Sequence, residues 1–300
     1  MSFLAFLLIV FSAGLHASWN LIAKRSSMSV AFYTVICMTS ASLWLHMQFW
    51  TPVDVWHLPK LFFFYLICSV FCGLCYSLAL VKAYRTMEMS TAYPMMRALP
   101  LLIVAAVTSL PGWGKPLTML AHFGMAIVFV GCLVMPLSDF SHFKIRNYLN
   151  ANMFYILVVA GGTAGYTLFD SQAQGVLRAA YPDLPRPLVS MTFYSTRGIF
   201  MTTLMSLAVL AIPGERKNFV SFFKKRDRTP FLAGLIASLT YVTVLMAMNY
   251  VTNVSYVQVF RQLGLVFGLL GGIFILKERC TAPKITGVAL IITGLVITVL

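Results

Sequence analysis

Residues 255–279 read SYVQVFRQLGLVFGLLGGIFILKER. Arg261 stands there inside an otherwise apolar run. An arginine near the middle of a bilayer costs about 2.5–3.5 kcal/mol on insertion scales, so it faces a cavity or a partner. A second stretch, AYPMMRALPLL at 92–102, holds Arg97 in the same setting. RALP at 97–100 matches RQLG at 261–264, and the correspondence runs on in both directions. Gly124 and Gly131 pair with Gly287 and Gly294, and Gly14 and Trp19 pair with Gly161 and Tyr166. The chain therefore reads as two five-helix halves, 1–148 and 149–300.

Composition agrees with a membrane chain. The 300 residues are 60% hydrophobic and 10% charged, with mean hydropathy +0.85. Soluble domains run about 45–50% apolar and about 25% charged, so a water-soluble enzyme is excluded. Disorder is excluded too, because 24 Phe, 13 Tyr and 5 Trp cannot stay solvated. A spanning helix needs about 20 apolar residues. Ten runs meet this, at 3–23, 28–50, 61–81, 89–109, 117–137, 152–172, 188–212, 231–251, 254–276 and 284–300. Nothing basic precedes the first run, so it reads as a retained helix rather than a signal peptide. The expected fold is all-α, ten transmembrane helices in two inverted repeats around a central cavity.

Charge sets the topology. The chain carries 22 Lys+Arg against 8 Asp+Glu, a net +14. The odd-numbered loops hold most of that excess, above all GERKNFVSFFKKRDR at 214–228. This is the positive-inside pattern rather than a nucleic-acid footprint, and it places the odd loops in the cytoplasm and both termini outside. The second loop is poor in basic residues and its repeat mate, the seventh, is rich. Five helices per half invert the second half, and the opposite bias of matched loops follows. Cys68, Cys72 and Cys75 share a helical face without His or carboxylate neighbours, so packing is the reading and no metal, cofactor or disulfide is expected.

At this point the chain resembles the drug/metabolite transporter superfamily, specifically the ten-helix EamA-type proteins. HASWNLIAKRS at 16–26, the two arginine segments above and ITGVALIITGLVI at 285–297 carry the likeness. It implies a bundle whose third, fourth, eighth and ninth helices line a cavity, with the first and sixth beside them. It also implies movement of amino acids or other small metabolites, often outward. In that family each half ends a helix with Glu before a Gly-rich helix; Glu278 fits, and PGWGKP stands at the matching place in the first half.

The candidate substrate-binding residues are Arg97 and Arg261, whose planar forks suit an anionic group, with Arg197 in the seventh run as a further one. Tyr93 and Gln258 occupy equivalent positions beside the arginines, and Gln262 lies next to them. Trp19, Asn20 and Tyr166 would add aromatic and amide walls. Interhelix packing is the competing reading for each. Asp170 falls in the last turn of the sixth run and Glu88 at a helix end, so no acid is expected at midplane. His16 is then the candidate for proton coupling, since an unperturbed imidazole titrates near about 6.5. Gly264, Gly268 and Gly272 recur every fourth residue, which suits a homodimer face or close packing within one bundle. No metalloprotease, nucleophile-elbow or phosphate-loop motif is present, so no enzyme is expected. The function read from the sequence is secondary export of a small polar or anionic metabolite, such as an amino acid, across a bacterial inner (plasma) membrane. The partners are the solute and the lipid bilayer, with no nucleic acid. The alternatives are a lipid-modifying membrane enzyme and a non-transporting subunit.

Overall fold

The computed structural model describes residues 1–24, 29–86, 89–135, 137, 139–140, 153–276 and 280–300; the side chains at 19–24, 84, 89–94, 272, 275 and 276 are outside that description. Glu88 and Glu278 lie outside the described residues, as do the side chains of Trp19, Asn20 and Tyr93.

Helix occupies each of the apolar runs, and the described residues contain no strand. The elements are α1 (Phe3–Lys24), α2 (Val30–Trp44), α3 (Met47–Trp50), α4 (Lys60–Thr86), α5 (Met89–Thr108), α6 (Met119–Val134), α7 (Met153–Ala180), α8 (Arg186–Ala211), α9 (Glu215–Lys224), α10 (Thr229–Met248), α11 (Val254–Phe260), α12 (Leu263–Leu276) and α13 (Ala282–Val299). Among the described residues six helical segments are long and apolar enough to cross a membrane. Phe3–Ser18, Met95–Thr108 and Met119–Val134 are shorter apolar helices. Phe11, Phe64, Phe71, Phe123 and Phe154 are exposed on the outside of the bundle. That outward apolar surface suits hydrocarbon as solvent.

Local signals set the helix starts. Ser29 caps α2 by accepting from the Phe32 N–H, Thr118 caps α6 through Ala121, and Asn253 caps α11 through Ser255. Pro187, Pro230 and Pro283 sit in the first turns of α8, α10 and α13, where the missing N–H is harmless. Gly214, at φ 85°, turns the chain between α8 and α9, which meet at 111°.

Two expectations change. The sixth run was expected to end at 172, yet α7 continues to Ala180, so Asp170 lies well inside a helix. The polar residues that close the hydropathic run, Gln172 and Gln174, hydrogen-bond to the Gly112 carbonyl and to Ser190 respectively, and the helix passes through them. The ninth run is two helices, broken at Arg261–Gln262. There the Gln262, Gly264 and Leu265 N–H groups bond three residues back, to Val259, Arg261 and Gln262.

Helices from before residue 148 interleave with helices from after it. α4 packs on α7, α1 on α10 and α12, α5 on α7 and α11, α2 on α8, and α6 on α13. α6 and α13 meet through glycines: a Cβ at Gly294 would stand 2.6 Å from the Gly124 carbonyl, and one at Gly131 would stand 2.8 Å from the Gly287 carbonyl. Gly268 has nothing within 4 Å of a Cβ, so close approach in the α12 stripe is seen at Gly264, beside Arg97. Gly294→Val is therefore expected to destabilise the bundle by about 1–3 kcal/mol through overpacking. Gly268→Ala should stay within about 0.5 kcal/mol of the parent. Thermal unfolding in detergent checks both.

Candidate functional site

Helices α1, α2, α4, α7, α8, α10 and the α11–α12 break line a partly open cavity of about 150 Å³. Its walls carry Tyr33, Tyr76, Tyr166, Tyr194 and Tyr241, one from each of five helices. The rings form a chain of near-perpendicular and tilted contacts: Tyr33–Tyr76 at 6.4 Å, Tyr76–Tyr166 at 5.7 Å, Tyr166–Tyr241 at 5.7 Å and Tyr241–Tyr194 at 6.0 Å. Such contacts fix the rings edge to face. Ser40, Ser77 and Thr240 add hydroxyls, and His16, Arg197 and Arg261 add basic groups.

Arg197, on α8, is the deepest of these. Its guanidinium lies over the rings of Tyr166 and Tyr241, at 5.6 and 5.4 Å. Its Nε donates to Ser69 Oγ at 2.8 Å and stands 3.3 Å from Asp170 Oδ1. Ser69 and Tyr241 both donate to the Asp170 carboxylate, which has no solvent exposure. The acid neutralises the arginine and the two hydroxyls satisfy its oxygens, which is what a buried ion pair requires.

A second cluster forms at the α11–α12 break. The Arg261 carbonyl takes a 2.8 Å hydrogen bond from Arg97 Nη2. Arg97 Nη1 lies 3.1 Å from His16 Nε2, so this imidazole nitrogen is the acceptor. Gln262 returns a bond from Nε2 to the Arg97 carbonyl at 3.2 Å, and Arg261 donates to Gln258 at 3.3 Å. The break thus brings together Arg97, Arg261, Gln258, Gln262 and His16. Arg261 and His16 line the cavity; Arg97 crosses behind it to the broken turn. Arg197 and Tyr166 line the same cavity from α8 and α7. Sequence reasoning passed over four of the tyrosines, Ser69 and the placement of Asp170.

Hydrogen bonds also join residues before 148 to residues after 153. Thr108 meets Ser255 at 2.7 Å, Asn253 donates to the Lys115 carbonyl at 2.9 Å, and Gln48 donates to Thr196 at 3.1 Å. At the odd-loop end Glu215, the first residue of α9, is buried. Its Oε2 accepts from the Ala31 N–H at 2.9 Å and its Oε1 from Arg85 at 3.1 Å. This carboxylate supplies the α2 N-terminus with a second cap from the far half of the chain.

A helical membrane bundle with a cavity that carries basic and hydroxyl side chains is an architecture that transporters use. The family model described as "Sugar transport protein" matches residues 18–300, and the chain belongs to that membrane transporter family. A solved structure described only as "Crystal structure of protein" shares the fold, with TM-score 0.68, 13% identity, and coverage of 98% of this chain and 96% of that one. No curated protein matches. The protein is an integral membrane protein.

Proposed function

We propose that the chain is a secondary transporter that carries a small, hydroxyl-bearing polar solute through the tyrosine-walled cavity. The two halves, 1–148 and 149–300, would be inverted five-helix repeats that rock about the site, giving alternating access. Placement among the ten-helix EamA-type proteins, and net outward movement, belong to the same proposal. The observation that carries it is the partly open cavity, with five tyrosines and walls drawn from both halves.

The contacts support the two-fold reading. If α1 is the mate of α7, α4 of α10, α5 of α11–α12 and α6 of α13, the α4–α7 contact maps onto α10–α1. The α5–α7 contact maps onto α12–α1, and α2–α8 and α6–α13 map onto themselves. The glycine pairs cross in the same way, Gly124 with Gly294 and Gly131 with Gly287. A two-fold interface has this self-complementary form.

Chemistry supports the solute class. Tyrosine rings present flat apolar faces and hydroxyl edges, which suit the faces and hydroxyls of a sugar-like ring. A dry engineered cavity of about 150 Å³ admits benzene, so this cavity has room for one six-membered ring. The family description points the same way. Arg261 and Arg197 add positive groups to the wall.

Reconstituted protein is expected to give saturable uptake of at least one of D-glucose, D-ribose and D-glucuronate. Tyr166→Ala should weaken the apparent affinity by about tenfold, equivalent to about 1.4 kcal/mol. Uptake indistinguishable from empty liposomes for all three solutes would sink the reading.

A further inference from the structure

The Asp170–Arg197 pair is built asymmetrically. Arg197 spends its Nε edge on Ser69 and Asp170. Among the described residues neither of its Nη atoms donates a hydrogen bond to the protein. Arg197 lines the cavity, and Gly73 leaves room for Nη2 where a Cβ would stand 2.9 Å away. Asp170 is on the other side of the guanidinium and does not line the cavity. One arginine therefore stands between a hidden carboxylate and the space where a solute would bind.

We propose that Asp170 holds a coupling proton and that Arg197 is the switch that loads it. An anionic oxygen of the solute takes the Nη edge of Arg197 and draws the guanidinium off Asp170. The carboxylate, left buried and unpaired, accepts one proton from the aqueous phase on Oδ1. When the solute leaves, Arg197 returns and the proton is released. One negative charge and one proton cross together, so the loaded and the empty site each hold no unpaired carboxylate. The solute class that this mechanism selects is a hydroxyl-bearing acid, such as a sugar acid. The inference rests on the transport reading of the cavity and deepens it.

The surroundings favour this exchange. The groups that face Asp170 are Arg197 and Tyr194 from α8, Ser69 and Cys72 from α4, and Tyr241 from α10, with Tyr166 one turn earlier on α7. Arg197 is the cation among them. Of the helices also packed on α7, α11 carries no charged residue and α5 carries Arg97, which bonds to His16 and the Arg261 carbonyl. A buried carboxylate that loses its one cation neutralises by taking a proton. Ser69 and Tyr241 can turn their hydroxyls to serve either form of the acid. Ser69 belongs to the first half and the other partners to the second, so a change in the pair is felt between the halves.

Two measurements test this on the full chain. Infrared difference spectra of purified Arg197→Gln are expected to gain a protonated-carboxyl band at neutral pH. The band should be missing from the wild type, from Arg197→Lys and from the Asp170→Asn/Arg197→Gln double variant. A band already present in the wild type, or none in Arg197→Gln, overturns the proposal. In proteoliposomes a pH gradient should drive accumulation of D-glucuronate by the wild type. In Asp170→Asn the ratio of uptake with and without the gradient should fall to one. A ratio unchanged from the wild type, or D-glucose accumulating as strongly as D-glucuronate, overturns it. Should none of the sugars move, the transport reading fails on its own while the infrared result still decides where the proton sits.

Discussion

Arg197→Leu is expected to destabilise the protein by about 3–5 kcal/mol and to abolish transport. The guanidinium holds Asp170, Ser69 and the rings of Tyr166 and Tyr241 in one arrangement. Its removal leaves a fully buried carboxylate with two hydroxyl donors and no cation. The loss should depend on pH, and its sign follows from proton counting. The folded variant keeps a proton on Asp170 that the unfolded chain releases above the ordinary carboxylate range, so destabilisation grows as pH rises. Asp170→Asn/Arg197→Leu should regain most of the stability and none of the transport. Thermal unfolding across pH 5–8, with uptake measured on the same preparations, separates the two effects. A double variant no more stable than Arg197→Leu alone would show that the pair is not what holds these helices.

Arg97→Ala and Arg261→Ala should fail in different ways, although the sequence makes them mates. Arg97 serves two acceptors, the Arg261 carbonyl and His16. Removing it unseats the broken turn between α11 and α12, at about 1.5–3 kcal/mol for a charged donor. Its chief effect is expected on melting temperature. Arg261 makes one long bond, to Gln258, and turns to the cavity. Its truncation should leave melting within about 0.5 kcal/mol and lower solute affinity by about tenfold, or about 1.4 kcal/mol. Equal losses of stability in the two variants would contradict this division of labour.

Much of the architecture was legible because a bilayer allows few solutions. Backbone groups in hydrocarbon must be paired internally, so apolar runs become helices, and glycines at matched positions mark where helices touch. Arg97 and Arg261 were legible as an expensive pair. Asp170 was not, since hydropathy falls at Ser171–Gln174 and the run ends there, whereas the polar side chains find partners in neighbouring helices and α7 runs on. The tyrosine wall was hidden for a different reason. Tyr33, Tyr76, Tyr194 and Tyr241 come from four helices, and along any one of them a single tyrosine looks like ordinary packing. The break at Arg261 carried a signal in Gln258, Arg261 and Gln262, three polar groups within five residues of a span.

The clasp made by Glu215 ties a remote, charge-rich region to the tyrosine-walled cavity. Seen alone, the charge-dense stretch around α9 resembles dispensable surface. Yet its leading carboxylate completes the opening turn of α2, and Tyr33 follows only two positions after the N–H it grips. Trimming or reshuffling that stretch would therefore fray α2 and loosen an aromatic panel of the cavity, although no excised residue lines it.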